Sequence, residues 1–184
     1  MSINKPITEQ DLLNRAKKGD QMAFKTLVEQ HEQQVAATVI GMLGYCTEAE
    51  DIGQEVFIRF YKAMPNFRGD AKVSTYLSRI AINLSLNEIK RRKRKQWLSF
   101  FSNNNNEIQQ IADKNTNEAQ NDTQKMVQKA LQMLDTKHRA VIVLRLIEGY
   151  SSQETADILE RPIGTVLSQL ARGQKKLKMI IEQL

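Results

Sequence analysis

Six cations stand in a row at Lys90-Arg91-Arg92-Lys93-Arg94-Lys95, and the residues upstream supply what charge alone lacks. Phe67 and Arg68 precede a stretch holding Tyr76, Arg79 and Asn83. Rings beside cations suit an unpaired nucleic-acid strand, because rings stack on exposed bases while Arg and Lys hold the phosphates. The carboxamide of Asn83 has both the donor and the acceptor needed to recognise an extruded base. On a helix, six residues wrap more than one and a half turns, so the run cannot occupy one face. Plainer uses stay open at this level. Such runs also make solvated helix ends or general polyanion patches. Phe67 fits the core of a small bundle equally well, whereas for Tyr76 a mixed role is the better fit.

The last third of the chain offers a second way to meet nucleic acid. Ser151 with Glu154 forms a capping box that opens a short helix carrying Ala156, Ile158 and Leu159. Arg161-Pro162-Ile163-Gly164 then makes a turn, and a longer basic helix begins near Thr165. This is the layout of a helix-turn-helix, with the small Ala156 at the crossing. Val166, Leu170 and Leu177 fall on an inward stripe, while Ser168, Gln169, Arg172, Lys175 and Lys176 fall largely elsewhere. In a major groove the early part of that helix offers Ser168 and Arg172 to base edges, and its lysines meet phosphates. The plain alternative is a helical hairpin with a solvated basic face. Gly173 inside this helix costs about 1 kcal/mol relative to Ala unless close packing needs it.

Other chemistry finds little support. Asp51 and Glu55, four residues apart, share a helix face, which suits a solvated surface better than a weak metal pair. His31 and His138 are far apart in sequence, and the single Cys46 excludes an intrachain disulfide and a thiolate zinc site. No nucleophile–base set is visible, so no enzyme activity, cofactor or metal is expected. No signal peptide and no apolar run of membrane-spanning length is seen. A soluble, intracellular, basic protein is the expectation.

The elements that position these groups are helical. The 184 residues include 8 Gly and 3 Pro, few for a β-rich chain, and 41% hydrophobic residues of which few are aromatic. Thr8 caps a first helix bearing Leu12, Leu13 and Ala16. Asp20 opens a second with Phe24, Leu27, Val28, Val35 and Val39. Thr47 with Glu50 is expected to box a third, with Ile52, Val56 and Phe60, that stops before Pro65. A fourth runs from about Ser74 towards Trp97 and packs Leu77, Ile80, Ala81, Leu84 and Leu86 inward. Further on, Val127, Leu131 and Leu134 mark one helix, and Val141, Ile142, Leu144 and Ile147 another, closed by Gly149.

Charge divides the chain into three. Residues 1–100 hold 16 basic and 11 acidic side chains, a net +5, and residues 123–184 hold 10 and 6, a net +4. Between them, residues 101–122 carry a net −3, four consecutive asparagines from Asn103 and few aliphatics. That segment is too poor in apolar surface to fold alone, so it is expected to be a flexible linker with a transient helical turn near Ile108–Ile111. The expected architecture is all-α, an N-terminal bundle and a C-terminal helix-turn-helix joined by 101–122.

Three groups of residues together resemble the bacterial extracytoplasmic-function (ECF) sigma factors of the sigma-70 family. They are Asp51-Ile-Gly-Gln-Glu-Val-Phe-Ile-Arg59, Phe67-Arg68-Gly69-Asp70 with Ser74 to Asn83, and His138-Arg139 with Glu148 to Glu154 and Arg161 to Val166. The first two resemble the family's second region, the last its fourth, and the third region is missing as in this group. The resemblance implies a non-enzymatic promoter-specificity subunit with core RNA polymerase and promoter DNA as partners, an anti-sigma protein as antagonist, no membrane insertion, and a cytoplasmic location, at the nucleoid when bound to polymerase. Asp51, Gln54, Glu55, Phe57 and Arg59 would meet the polymerase clamp. Phe67, Arg68, Tyr76, Arg79 and Asn83, supported by Lys90, Arg91, Arg92 and Arg94, would capture and hold the −10 element. Thr165, Leu167, Ser168, Gln169, Arg172, Lys175 and Lys176 would read or grip the −35 element. The runner-up is a stand-alone helix-turn-helix regulator.

Three departures from the family pattern carry consequences. Tyr76 stands where Trp is frequent. Glu160 stands where Gly is common, at a cost of about 1 kcal/mol if its backbone is left-handed. Leu167 and Gln169 replace residues that are often cationic, which weakens phosphate grip and favours apolar contact with a thymine methyl.

Overall fold

Asp20 and Thr8 cap two helices with their side chains, local signals that set where the first elements begin. The computed structural model describes residues 7–69, 71–102 and 122–184, and every regular element among them is helical. The segment 103–121, with its expected helical turn, lies outside the described residues, as does Asp70. The first half comprises α1 (Glu9–Lys17), α2 (Gln21–Leu43), α3 (Thr47–Ala63), a 3-10 turn at Met64–Asn66 and α4 (Val73–Ser102). The second comprises α5 (Asp122–Met133), α6 (Thr136–Ile142) running into a π-helical turn at Val143–Ile147, α7 (Ser152–Leu159) and α8 (Ile163–Ile181).

Capping boxes form at Thr8 with Asp11 and at Ser151 with Glu154, and Asp20 accepts from the Met22 and Ala23 amides. The expected box at Thr47 does not form. Cys46 takes the extended N-cap position with no side-chain cap, so Thr47 is already inside α3, where Glu48 and Glu50 face the helix's positive end. The last helix starts two residues earlier than its periodicity suggests, because Pro162 at the N-cap already has φ −57°. Glu160 is left-handed (φ 52°, ψ 48°) and ends α7, its amide donating to Ala156 O. The π turn had no sequence signal. It closes through Tyr150 N donating to Leu144 O and Glu148 N to Val143 O.

The core of the first half is built on Leu13, Leu27, Val39, Met42, Phe60 and Leu77, all nearly inaccessible. It does not stop there. Ala140, Val143, Leu144, Tyr150 and Ile158 from the second half belong to the same continuous cluster. Two smaller clusters build the helix-turn-helix itself, Leu131, Leu134 and Ile142 on one side and Val141, Ala156 and Val166 on the other. A methyl on Gly173 would lie 3.2 Å from Ile142 Cγ1 and 3.4 Å from His138 Cβ, so close packing of α8 on α6 explains that glycine.

The two halves therefore meet along a seam. A methyl on Gly41 of α2 would lie 2.8 Å from Val143 Cγ2, so the π turn packs directly on α2 backbone. The Arg139 guanidinium crosses the seam to donate to Met42 O at 2.6 Å. Tyr150 Oη shares a 3.0 Å hydrogen bond with Ser78 and accepts from Gln34 Nε2. At the rim, Lys72 faces Glu154 at 3.4 Å.

Glu148, beside Thr38 of α2, makes no ion pair among the described residues. Burial pushes its carboxyl up to about 7, against the opposing influence of the Thr38 hydroxyl. A carboxyl raised in the fold contributes stability that is complete below pH about 4.5 and lost as pH rises through about 7. Glu148→Gln is accordingly expected to flatten the fall in urea midpoint between these two pH values. An unchanged slope would locate the pH dependence elsewhere.

Candidate nucleic-acid interface

The long helix α4 carries most of the residues expected at the −10 element, and its amphipathic register separates them. Leu77, Ala81, Ile82 and Leu84 are buried, which turns Asn83 to solvent. Phe67, at the end of the 3-10 turn, is only 9% exposed. Its ring lies 6.0 Å from Phe60 and 5.1 Å from Tyr76, and Lys17 Nζ sits over it while donating to its carbonyl. In this arrangement Phe67 is part of the core, Tyr76 is half-buried against the same rings, and Arg68 is exposed.

Arg79 is engaged by the other half of the chain. Its Nη2 donates to Asp157 O at 2.7 Å and its Nη1 pairs with Glu160 at 3.5 Å, both on or just after α7. A phosphate could not use these donors without displacing α7. The left-handed Glu160, a departure in sequence, thus presents its carboxylate to a proposed DNA contact.

The six-cation run also divides. Glu88, nearly buried, accepts from Arg91 at 2.7 and 2.9 Å and from Arg92 at 3.0 Å. These partners, Arg91 foremost, hold the Glu88 carboxyl below its usual range against the opposing effect of burial. Arg92 also reaches Glu48 at 3.1 Å and Cys46 Sγ at 2.9 Å, tying α4 to the start of α3. Lys90, Lys93, Arg94 and Lys95 are exposed and make no ion pair among the described residues. Two of the six cations are thus structural, and four are presented to solvent.

On α8, Val166 is fully buried and Leu170 and Leu177 pack on the small clusters. The opposite face presents Leu167, 49% exposed, with Ser168, Arg172 and Lys175. Ser168 Oγ donates to Thr165 O at 2.9 Å, and Gln169 Oε1 accepts from Arg161 at 3.0 Å. Lys176 pairs with Asp135 at 2.6 Å and draws that carboxyl below its ordinary range. Thr165 is half-buried at the start of the helix.

The third expected surface is on α3. Asp51 and Gln54 are exposed, and Glu55 pairs with Arg59 at 2.8 Å. Gln54 and Phe57 line a groove of about 530 Å³ against α2, walled by Val28, Ala36 and Ile40. Asp51, Glu55 and Arg59 lie outside it. The periodicity of α2 gave no reason to single out its contribution to this groove, since the same spacing describes any core stripe. Among the described residues no group of three His, Cys, Asp or Glu is placed to hold a metal, and no helix is long and apolar enough to cross a membrane.

Both halves of the chain have counterparts among known proteins. The sequence matches Sigma-70 region 2 over residues 27–95 and Sigma-70, region 4 over residues 124–177. It is 34% identical over 179 residues to the ECF RNA polymerase sigma factor SigW of Bacillus subtilis, covering 94% of this chain and 96% of that one. It is 29% identical over 184 residues to the RNA polymerase sigma-H factor of Pseudomonas aeruginosa, covering 96% and 95%. The fold resembles CnrH in complex with the cytosolic domain of CnrY (TM-score 0.70, 25% identity, 95% and 97% covered). It also resembles the sigma factor RpoE bound to the anti-sigma factor NepR from Bartonella quintana (TM-score 0.70, 23% identity, 86% and 96% covered).

Proposed function

Because the chain belongs to the ECF RNA polymerase sigma factors, we propose that it directs core RNA polymerase to its promoters and assists opening of the −10 element. The observation that carries this reading is the pairing, in one chain and in family order, of two separate helices with exposed polar and basic faces. One is α4 with Asn83 and four uncommitted cations outward; the other is α8 with Leu167, Ser168 and Arg172 outward. Lysines and arginines supply salt-dependent attraction without sequence preference, and the few base-facing groups discriminate. A base drawn out of the stack costs a few kcal/mol, which a matching pocket around Asn83 and the Phe67–Arg68 loop offsets. The segment between α4 and α5 then acts as the tether that makes the second DNA contact intramolecular.

Docking falls to α3, with Gln54 and Phe57 in the groove and Asp51, Glu55 and Arg59 beside it. Polymerisation belongs to the polymerase, and the factor contributes positioning without a catalytic group of its own. Its place of action is the cytoplasm. The seam supports a closed resting arrangement in which Arg79 is held by α7, and an anti-sigma protein is the partner suited to such a form.

The test is promoter-dependent initiation by core polymerase with the purified chain. The Gln54→Ala/Glu55→Ala protein is expected to lose retention of core polymerase at least tenfold while keeping its fold, a cost of about 1.4 kcal/mol. A stand-alone DNA regulator would show no such loss and would bind promoter duplex without polymerase.

A further inference from the structure

The match to Sigma-70 region 2 begins at residue 27, so α1 lies ahead of it. The inner face of α1, made of Leu12, Leu13 and Ala16, is buried, and Glu9 pairs with His31 of α2 at 3.0 Å. The helix is thereby fixed on α2, and its last residue reaches a partner 50 residues further along the chain. Lys17 Nζ donates to the Phe67 carbonyl and lies 5.9 Å from the centre of the Phe67 ring. An ammonium in this place gains both from the negative face of the ring and from a charge-assisted hydrogen bond. The rest of Phe67 is equally committed. Its amide donates to Met64 O at 3.1 Å, and its ring packs on Phe60 and Tyr76. With amide, ring and carbonyl all held, the direction in which the chain departs towards Arg68 is set here. Gly69, at φ 84°, turns the chain at once, and a methyl on it would lie 4.0 Å from Gln10 Oε1, also on α1.

We infer that Lys17 is a positioning residue for base selection: by holding the Phe67 carbonyl it sets where Arg68 and Gly69 stand, and with them the preference for one base at the −10 element. This rests on the reading of Asn83 and the Phe67–Arg68 loop as the capture pocket. Lys17 touches no base in this role and acts through Phe67. A pocket discriminates only while its groups are held within about 0.5 Å of their working geometry. Asn83 draws that support from α4, where its neighbours Ile82 and Leu84 are buried. Phe67, Arg68 and Gly69 belong to no helix, and Lys17 ties them to one. A phosphate contact is the plainer use of a lysine. This ammonium, however, is on a half-buried side chain and its partner is a carbonyl, whereas the adjacent Lys18 is exposed and suits the plainer use.

The test compares three full-length variants. Lys17→Met keeps the stem and removes the donor, Lys17→Arg keeps charge and donor, and Lys18→Met removes the same charge from the exposed neighbour. Each is assayed with core polymerase on a promoter that the wild-type chain selects from a random-sequence library, and on versions carrying every other base in turn across its −10 element. Asn83→Ala marks the captured position. There, Lys17→Met is expected to narrow the base preference about tenfold, the worth of a hydrogen bond to a charged group, while binding of the closed duplex is unchanged. Lys17→Arg should restore most of the preference, and Lys18→Met should keep all of it. In the protein without DNA or polymerase, Lys17→Met should quicken amide exchange at Arg68 and Gly69 about tenfold and leave Phe60 as it was. Unchanged exchange at those two residues would overturn the inference. So would normal initiation with an unchanged preference, or an equal loss on every base together with a lower urea midpoint, which would make Lys17 a prop of the core. Wild-type protein that initiates at no promoter would remove the sigma reading, and base selection by this loop with it.

Discussion

Replacing Arg139 with alanine is expected to lower the stability of the folded chain by roughly 3 to 5 kcal/mol, since each acceptor stranded in a dry interior costs about 1 to 3. The side chain is 7% exposed and has no carboxylate partner among its hydrogen bonds. Its guanidinium donates instead to Met42 O at 2.6 Å, Gln132 Oε1 at 2.6 Å, Gln132 O, and Leu134 O at 3.1 Å. Met42 lies in the last turn of α2, and Gln132 and Leu134 lie at the end of α5. One cation thus satisfies carbonyls left over at two helix ends and sits at both negative poles. Burial lowers its pKa to about 10, which still leaves it charged at neutral pH. Arg139→Lys should recover less than half of the loss, because an ammonium lacks the planar fork. Arg139→Met keeps most of the volume and isolates the hydrogen bonds. Urea denaturation decides: the midpoint should fall with an unchanged slope. A loss below about 1 kcal/mol would mean that water replaces the guanidinium at all of these carbonyls.

The second large effect is on how the halves meet. Gly41→Leu is expected to open the seam, shifting the closed-to-open balance about 10- to 100-fold, since overpacking costs about 1 to 3 kcal/mol. Even the first carbon of the new side chain would stand 2.8 Å from Val143 Cγ2, and a β-branched valine on a tight turn has little room to yield. Within α2 the same change is favourable by about 0.8 kcal/mol, so helix content should hold or rise. The expected result is a larger radius of gyration by small-angle scattering, faster amide exchange at Ser78 and Tyr150, and stronger promoter binding as Arg79 comes free. An unchanged radius would show that the seam repacks around the leucine.

Much of this was readable before any coordinates. Caps at Thr8, Asp20 and Ser151 act through their immediate neighbours, and the stripes of α4 and α8 follow from 3.6-residue periodicity, so both survive in the fold. Gly173 announced itself as an expense that only close packing would justify, and Ile142 supplies that packing. What escaped depends on long-range partners. The exception is Glu88, whose commitment of Arg91 and Arg92 lies at i+3 and i+4 and was open to a closer reading of the spacing; nothing local says that Phe67 would close on Phe60 and Tyr76, or that Arg139 would reach from one half to the other. The π turn escaped for the same reason: its extra residue is tolerated because α2 presents a glycine there. The resemblance to sigma factors supplied roles for α3 and α4, but not the groove that sets Gln54 and Phe57 apart from Asp51, Glu55 and Arg59.

The 30-residue α4 has one further consequence. It is a rigid ruler about 45 Å long, with the Asn83 carboxamide at one mark, the uncommitted cations at the next and the Trp97 indole at the last. A substitution at one exposed position alters one mark and leaves the others in place. Inserting or deleting one residue between Asn83 and Lys90 would instead swing every later mark by about 100° and take the whole downstream set out of phase. The exposed letters of this helix can change one at a time, but not the count between them.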